Sequence, residues 1–218
     1  GDEGRVQYYA GAWRDLGTTS GGVAGKELLP RQYSFRMIHA FASVDKQQDI
    51  GADPEVVFQT VNARVELRNS AGDLMPAPEG DEGKVQYYAG AWRDLGTTSG
   101  GIAGKELLPR QYSFRMTHAF ASVDKRQDIG SNPVVTFATV RAVINVKDLQ
   151  NQPLNGAAVS YYSGAWRLIG ETVNGGISRE LLPRSYSFRA AYQGVSADKQ
   201  QDIGADPTVD IQLNISGQ

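Results

Sequence analysis

The sequence contains no cysteine, which excludes a disulfide framework, a thiolate metal site and a cysteine nucleophile together. Nor does it contain an apolar run near the roughly 18 residues that span a bilayer. The opening "GDEGRV" lacks the basic and apolar regions of a signal peptide. Neither sign of charge dominates: 22 basic residues are interspersed with 24 acidic ones, for a net charge of −2. That balance leaves no electrostatic footprint for nucleic acid or for an anionic membrane surface. No nucleophile elbow, phosphate loop, zinc spacing or paired-acid motif occurs, so the reading is non-enzymatic, with no cofactor and no metal.

What the chain does have is repetition. "VQYYAGAWRDLGTTSGG" starts at Val6 and again, unchanged, at Val85, 79 residues on; a divergent copy, "VSYYSGAWRLIGETVNGG", starts at Val159 after a further 74. Such periods exceed the twenty to fifty residues of a solenoid turn. They predict three small domains in a row: 1–61, 62–140 and 141–218.

Polar and apolar residues alternate with period two over short runs bounded by Gly, Pro, Asp and Asn, the pattern of half-buried strands. In "YSFRMIHAF", Tyr33, Phe35, Met37, His39 and Phe41 fall on the core face, while Ser34, Arg36, Ile38 and Ala40 fall on the other; the third copy aligns Tyr186, Phe188, Ala190 and Tyr192. A strand ends at Leu29, because Pro30 offers no amide to a ladder. "SVDKQQDI" follows Phe41 and stops at the turn "GADP". "EVVFQTVNARVELRN" is too long for one strand of a small sandwich, so the last strand of one unit runs, near Val61 and Asn62, into the first of the next. No segment has helical spacing. Seven or so strands per unit make the fold class all-β: three tandem antiparallel β-sandwiches of immunoglobulin-like or prealbumin-like type.

The expected core is Val6, one tyrosine of each pair, Leu28 or Leu29, Tyr33, Phe35, Phe41 and Phe58, each large side chain contributing about 1.5–3 kcal/mol. Chain entropy leaves a unit of this size marginal, so stacking on neighbours adds needed stability. "NSAGDLMPAPEGDEGK" and the shorter "LQNQPLNGAA" read as loops between first and second strands.

"NQPLNGAAVSYYSGAWRLIGETVNGGISRELLPRSYSFRA" resembles the repeats of bacterial surface proteins that share the transthyretin-like, carboxypeptidase-regulatory-like sandwich, including the collagen-adhesin B type. Its pieces sit at Pro153 to Val159, Thr172 to Gly176 and Leu182 to Phe188. Two departures stand out. Arg31, Arg110 and Arg184 replace the glycine usual after "LLP", so the turn there needs no positive φ. The Lys–Asn crosslink of some relatives is not expected, because the position that offers Asn62 in one copy holds Arg141 in the next and unmatched buried polar partners are costly.

Candidate sites are few. Tyr9 and Trp13, with Tyr88, Trp92, Tyr162 and Trp166, form either part of the core, with a bulge at Gly11, or an outward pad for a neighbouring unit or for the sugar rings of a polysaccharide. Asp45, Asp49 and Asp53, with Asp124, Asp128, Asn132 and Asp198, Asp202, Asp206, have oxygen-ligand chemistry, but on one strand face successive members lie about 13 Å apart, so they read as turn and solvent carboxylates rather than a calcium site. His39 and His118 are the only histidines, and the third copy substitutes Tyr192. A ligand or general base would not be exchanged for tyrosine, so this is a half-buried aromatic position. Hairpin hydroxyls at Thr18, Thr19, Ser20, Thr97, Thr98 and Ser99 are weak candidates for O-linked sugar, as is Asn214 in "NIS" for N-linked sugar.

"GDEGRV" at Gly1 matches "GDEGKV" at Gly80, so the first unit is expected to lack its own first strand. Either the stretch belongs to a longer array, or an open edge takes a strand from elsewhere. The expectation is an extracellular or cell-surface structural repeat protein, its partner further copies of itself in a stalk or filament. The alternative is a glycan-binding adhesin module, and a third reading is a spacer between functional domains.

Overall fold

The computed structural model describes residues 3–75 and 82–215. Part of the "NSAGDLMPAPEGDEGK" loop and the first residues of "GDEGRV" therefore lie outside the described residues. No helix occurs among those described.

The chain opens with β1 (Arg5–Tyr9), β2 (Trp13–Thr18), β3 (Gln32–His39) and β4 (Ala42–Asp49). They form one antiparallel sheet in the order β2-β1-β3-β4. Next come β5 (Val61–Arg68), β6 (Lys84–Tyr88), β7 (Trp92–Thr97), β8 (Ile102–Leu107), β9 (Gln111–His118), β10 (Ala121–Asp128) and β11 (Val134–Ala138). These make two sheets, β11-β5-β8 and β10-β9-β6-β7. The remaining strands are β12 (Val140–Lys147), β13 (Ala158–Tyr162), β14 (Trp166–Glu171), β15 (Gly176–Leu181), β16 (Ser185–Tyr192), β17 (Val195–Asp202) and β18 (Thr208–Gln212). They repeat the plan as β15-β12-β18 and β14-β13-β16-β17. The result is an N-terminal sheet, a central sandwich and a C-terminal sandwich.

Period-two alternation places the cores. Ala63, Val65 and Leu67 of β5 meet Val85, Tyr87, Phe114 and Met116 of the opposite sheet, and Ala142, Ile144 and Val146 of β12 meet Val159, Tyr161 and Phe188. Tyr112 is held at the edge of its core by donating its hydroxyl to the Leu108 carbonyl at 3.2 Å, as Tyr186 does to Leu182 at 3.1 Å. Burial pushes the Tyr112 phenol up to about 12, and Tyr186 in the same direction.

Several expectations need correction. The sandwiches are not wholly antiparallel: β11 runs parallel to β5, and β18 parallel to β12. The bulge expected at Gly11 lies instead at Leu16, because Val6 pairs with Gly17 while Gln7 pairs with Asp15. Gly17 has φ +149° there, a conformation side chains avoid, and Gly96 and Gly170 repeat it. Phe41 is not core: it is 66% exposed, at the tip of the hairpin joining β3 to β4. Leu29 is 75% exposed, and Leu28 is only half-buried. "VAGKELL" forms a strand only in the second and third copies, where it ends at Leu107 and Leu181. "EVVFQ" likewise forms no strand, although its counterpart β11 is followed after one residue by β12 as expected. Both missing ladders have one cause. Their strand counterparts pair with β5 or β12, and none of the described residues provides such a strand to the N-terminal sheet.

Candidate functional site

The aromatic phrase turns its second tyrosine outward. On β1, Tyr8 faces the core, so Tyr9 must face away, and it is 47% exposed. Tyr9 meets Trp13 edge to face at 5.5 Å, and the Arg36 guanidinium covers the Trp13 ring at 4.0 Å. Arg36 in turn makes a two-pronged ion pair with Asp45, each contact 2.7 Å. The set recurs as Tyr88, Trp92, Arg115 and Asp124, and as Tyr162, Trp166, Arg189 and Asp198. Hydrogen bonding by the arginine holds each aspartate below the usual carboxylate range. One face of each indole is thus occupied by a cation. The tyrosine is exposed in all three sets, the tryptophan in the third only: Trp13 and Trp92 are half-buried, and Trp166 is exposed.

The acidic spacing is resolved into turns and pairs. Asp45 goes to Arg36, Asp49 accepts the Gly51 amide at 2.9 Å, and Asp53 accepts the Glu55 amide at 3.1 Å. Asp128 and Asn132 repeat the two caps, as do Asp202 and Asp206. Among the hairpin hydroxyls, Thr19 and Thr98 are buried and accept the Gly4 and Gly83 amides. Thr18, Ser20, Thr97 and Ser99 remain exposed. Asn214 is exposed also, and Asn62 lies exposed on the outward side of β5.

The sequence did not reveal the most developed polar and aromatic cluster, which lies where the sheets meet end to end. Ala40 and Phe41 both adopt left-handed conformations, with φ of 48° and 63°. This tight turn presents the tip of the N-terminal sheet to the central sandwich. Tyr87 donates its hydroxyl to the Ala40 carbonyl at 3.1 Å, Arg93 stacks on Phe41 at 3.8 Å, and Arg110 donates to the Ser43 carbonyl at 3.2 Å. His39, read as a half-buried aromatic, is buried here and donates from Nε2 to the Glu106 carbonyl at 3.1 Å.

The second meeting point has the same parts. Tyr161 donates to the Ala119 carbonyl at 3.1 Å, Arg167 stacks on Phe120 at 3.7 Å, and Arg184 donates to the Ser122 carbonyl at 3.4 Å. Ser163 adds a bond to the Phe120 carbonyl at 2.7 Å. Glu180 receives the Ser70 hydroxyl at 2.5 Å and also the Thr139 hydroxyl. Leu182, from the turn after β15, is wholly buried in the core of the central sandwich, while its neighbour Leu181 belongs to the C-terminal core. The "LL" doublet therefore serves two cores. A signal was available in principle, since "LLPR" precedes each "YSF".

No protein-family profile and no curated protein matches the chain. Solved structures do. The chain is similar to the Bacillus anthracis TIE protein at 13% identity and TM-score 0.26, over 98% of this chain and 47% of that one, so it spans about half of that protein's length. It is similar to a single B repeat unit of the collagen-binding surface protein of Staphylococcus aureus, at 12% identity and TM-score 0.25, over 72% of this chain and 98% of that one. It is also similar to the major pilin subunit of Bacillus cereus, at 12% identity and TM-score 0.28, over 99% and 95% of the two chains.

Proposed function

We propose that the chain is a non-enzymatic, extracellular structural element of a cell surface. Three tandem modules stack head to tail as a stalk or filament: 1–61, a β-sandwich repeat without its first strand, and the complete sandwiches 62–140 and 141–218. The observation that carries this reading is the joint: Tyr–Ala carbonyl, Arg–Phe ring and Arg–Ser carbonyl contacts recur at both meeting points. A contact that repeats along a chain without closing on itself builds a linear array. Strand addition at the N-terminal sheet extends the array between polypeptides. Negative-stain microscopy over rising concentration tests the filament: polymers are expected, and monodisperse monomer throughout would reject it.

Polysaccharide binding is the second reading, supported by the three half-exposed tyrosines Tyr9, Tyr88 and Tyr162 held against tryptophans in one geometry. Replacing Trp13, Trp92 and Trp166 by alanine is expected to abolish retention on a polysaccharide matrix without unfolding the chain. Retention that survives the change sinks this reading.

A further inference from the structure

The N-terminal sheet carries a groove of about 490 Å³, whose apolar lining includes Val6, Leu16, Phe35, Met37, Val56 and Phe58. In the central sandwich the corresponding positions are filled by β5, whose Ala63, Val65 and Leu67 are wholly buried, and in the C-terminal sandwich by β12 through Ala142, Ile144 and Val146. The two walls of the groove correspond to β8 and β11. One wall is already in place. Lys46 donates to the Val57 carbonyl at 3.4 Å, as Lys125 does to Thr136, and Gln48 donates to the Asp53 carbonyl at 3.2 Å, as Gln127 does to Asn132. Segment 55–59 is thus held by the same side-chain contacts as β11, while its backbone has no ladder.

Resting on the array reading above, we infer that this groove is an acceptor for one extended strand carried by a neighbouring repeat of the same kind. The strand's inward residues read small, aliphatic, aliphatic. Its register follows from β5. The guest runs antiparallel to residues 23–28, with its small residue opposite Lys26 and the next inward residue opposite Ala24, as Ala63 and Val65 stand opposite Lys105 and Ala103. It runs parallel to residues 55–59, its third inward residue beside Phe58, as Leu67 stands beside Phe137.

The rest of the face matches a repeat as the donor. Tyr8, Arg14, Leu29 and Arg31 occupy the positions of Tyr87, Arg93, Leu108 and Arg110, which take the hairpin tip and edge of the preceding sheet. Leu108 is wholly buried, and Leu29 is 75% exposed. A neighbouring repeat brings both a strand and a tip, so one partner covers groove and socket together.

The probe is a ten-residue peptide with the sequence of residues 60–69, TVNARVELRN, added to the intact chain. Amide hydrogen exchange is expected to slow at least tenfold within 23–28 and 55–59, with saturable one-to-one binding. The same peptide carrying V65D and L67D is expected to give neither effect. Fusing the ten residues ahead of Gly1 through a flexible linker is expected to give the same protection and to abolish binding of free peptide. No binding at millimolar peptide, or slowing spread equally over the edge strands β4 and β10, overturns the assignment. The outcome is separable from microscopy: polymers without peptide binding remove the strand acceptor and leave the array, whereas peptide binding without polymers does the reverse.

Discussion

The Arg93 guanidinium lies 3.8 Å from the centre of the Phe41 ring, across the boundary between the N-terminal sheet and the central sandwich. Its Nε is buried without a hydrogen-bond partner among the described residues, as is that of Arg167 against Phe120. The ring face is what the cation gains in exchange. Holding Ala40 and Phe41 in left-handed conformations costs roughly 1–2 kcal/mol per residue, so the tip persists because the joint compensates it.

A double-mutant cycle of Phe41→Ala and Arg93→Ala is expected to give a coupling of about 0.5–1 kcal/mol, the range for a partly exposed cation–ring contact. Local opening free energies from amide exchange around Tyr87 measure it. Coupling near zero would mean that the stack is incidental.

Leu182 and Leu29 hold the same place in the "LLP" motif but different surroundings. Leu182→Ala is expected to cost about 2–5 kcal/mol, because it empties space inside the central core. Leu29→Ala is expected to stay within about 0.5 kcal/mol. Urea unfolding compares them, and equal effects would contradict the placement of Leu182 in its neighbour's core.

Asp45, Asp124 and Asp198 have carboxyls lowered by hydrogen bonding to Arg36, Arg115 and Arg189. A depressed folded value means stability that is present above the ordinary carboxylate value of about 3.9 and lost as pH falls through the folded value. The effect is small, since both partners are substantially exposed and solvent screens the pair. Changing all three to asparagine is expected to flatten the thermal midpoint between pH 5 and pH 2, a window set by those shifts. An unchanged slope would show that the pairs contribute nothing.

At the alkaline end the sign reverses. Burial raises Tyr112 to about 12, above the ordinary phenol value of about 10. Its contribution is full below about pH 10 and is lost as pH rises through the folded value. Tyr112→Phe is expected to remove part of the alkaline destabilisation seen by circular dichroism above about pH 10. It also deletes the hydroxyl bond to Leu108, so stability at neutral pH is expected to fall by about 0.5–1.5 kcal/mol.

The strands were legible because Tyr33, Phe35 and Met37 alternate with Ser34, Arg36 and Ile38, and period two survives any tertiary context that keeps one face dry. The joint was not. "HAFAS" has no glycine or asparagine to announce a turn, and left-handed alanine and phenylalanine are rare, so Phe41 read as the last core residue of a strand. Only the third copy, with Gln193 and Gly194 at those positions, spells the turn in ordinary residues. Leu182 was opaque for another reason: alternation shows that a residue is buried or exposed, not whose core receives it. Tyr9 and Trp13 were legible as neighbours, with core and outward pad both left open, because the covering Arg36 comes from another strand, which spacing along the sequence does not reveal.

Successive units, docked through repeated joints, are expected to move together. Backbone 15N relaxation of the intact chain tests it most directly. A single rotational diffusion tensor is predicted to fit amides from β1–β4, β5–β11 and β12–β18 alike. Three separate, faster correlation times would contradict it.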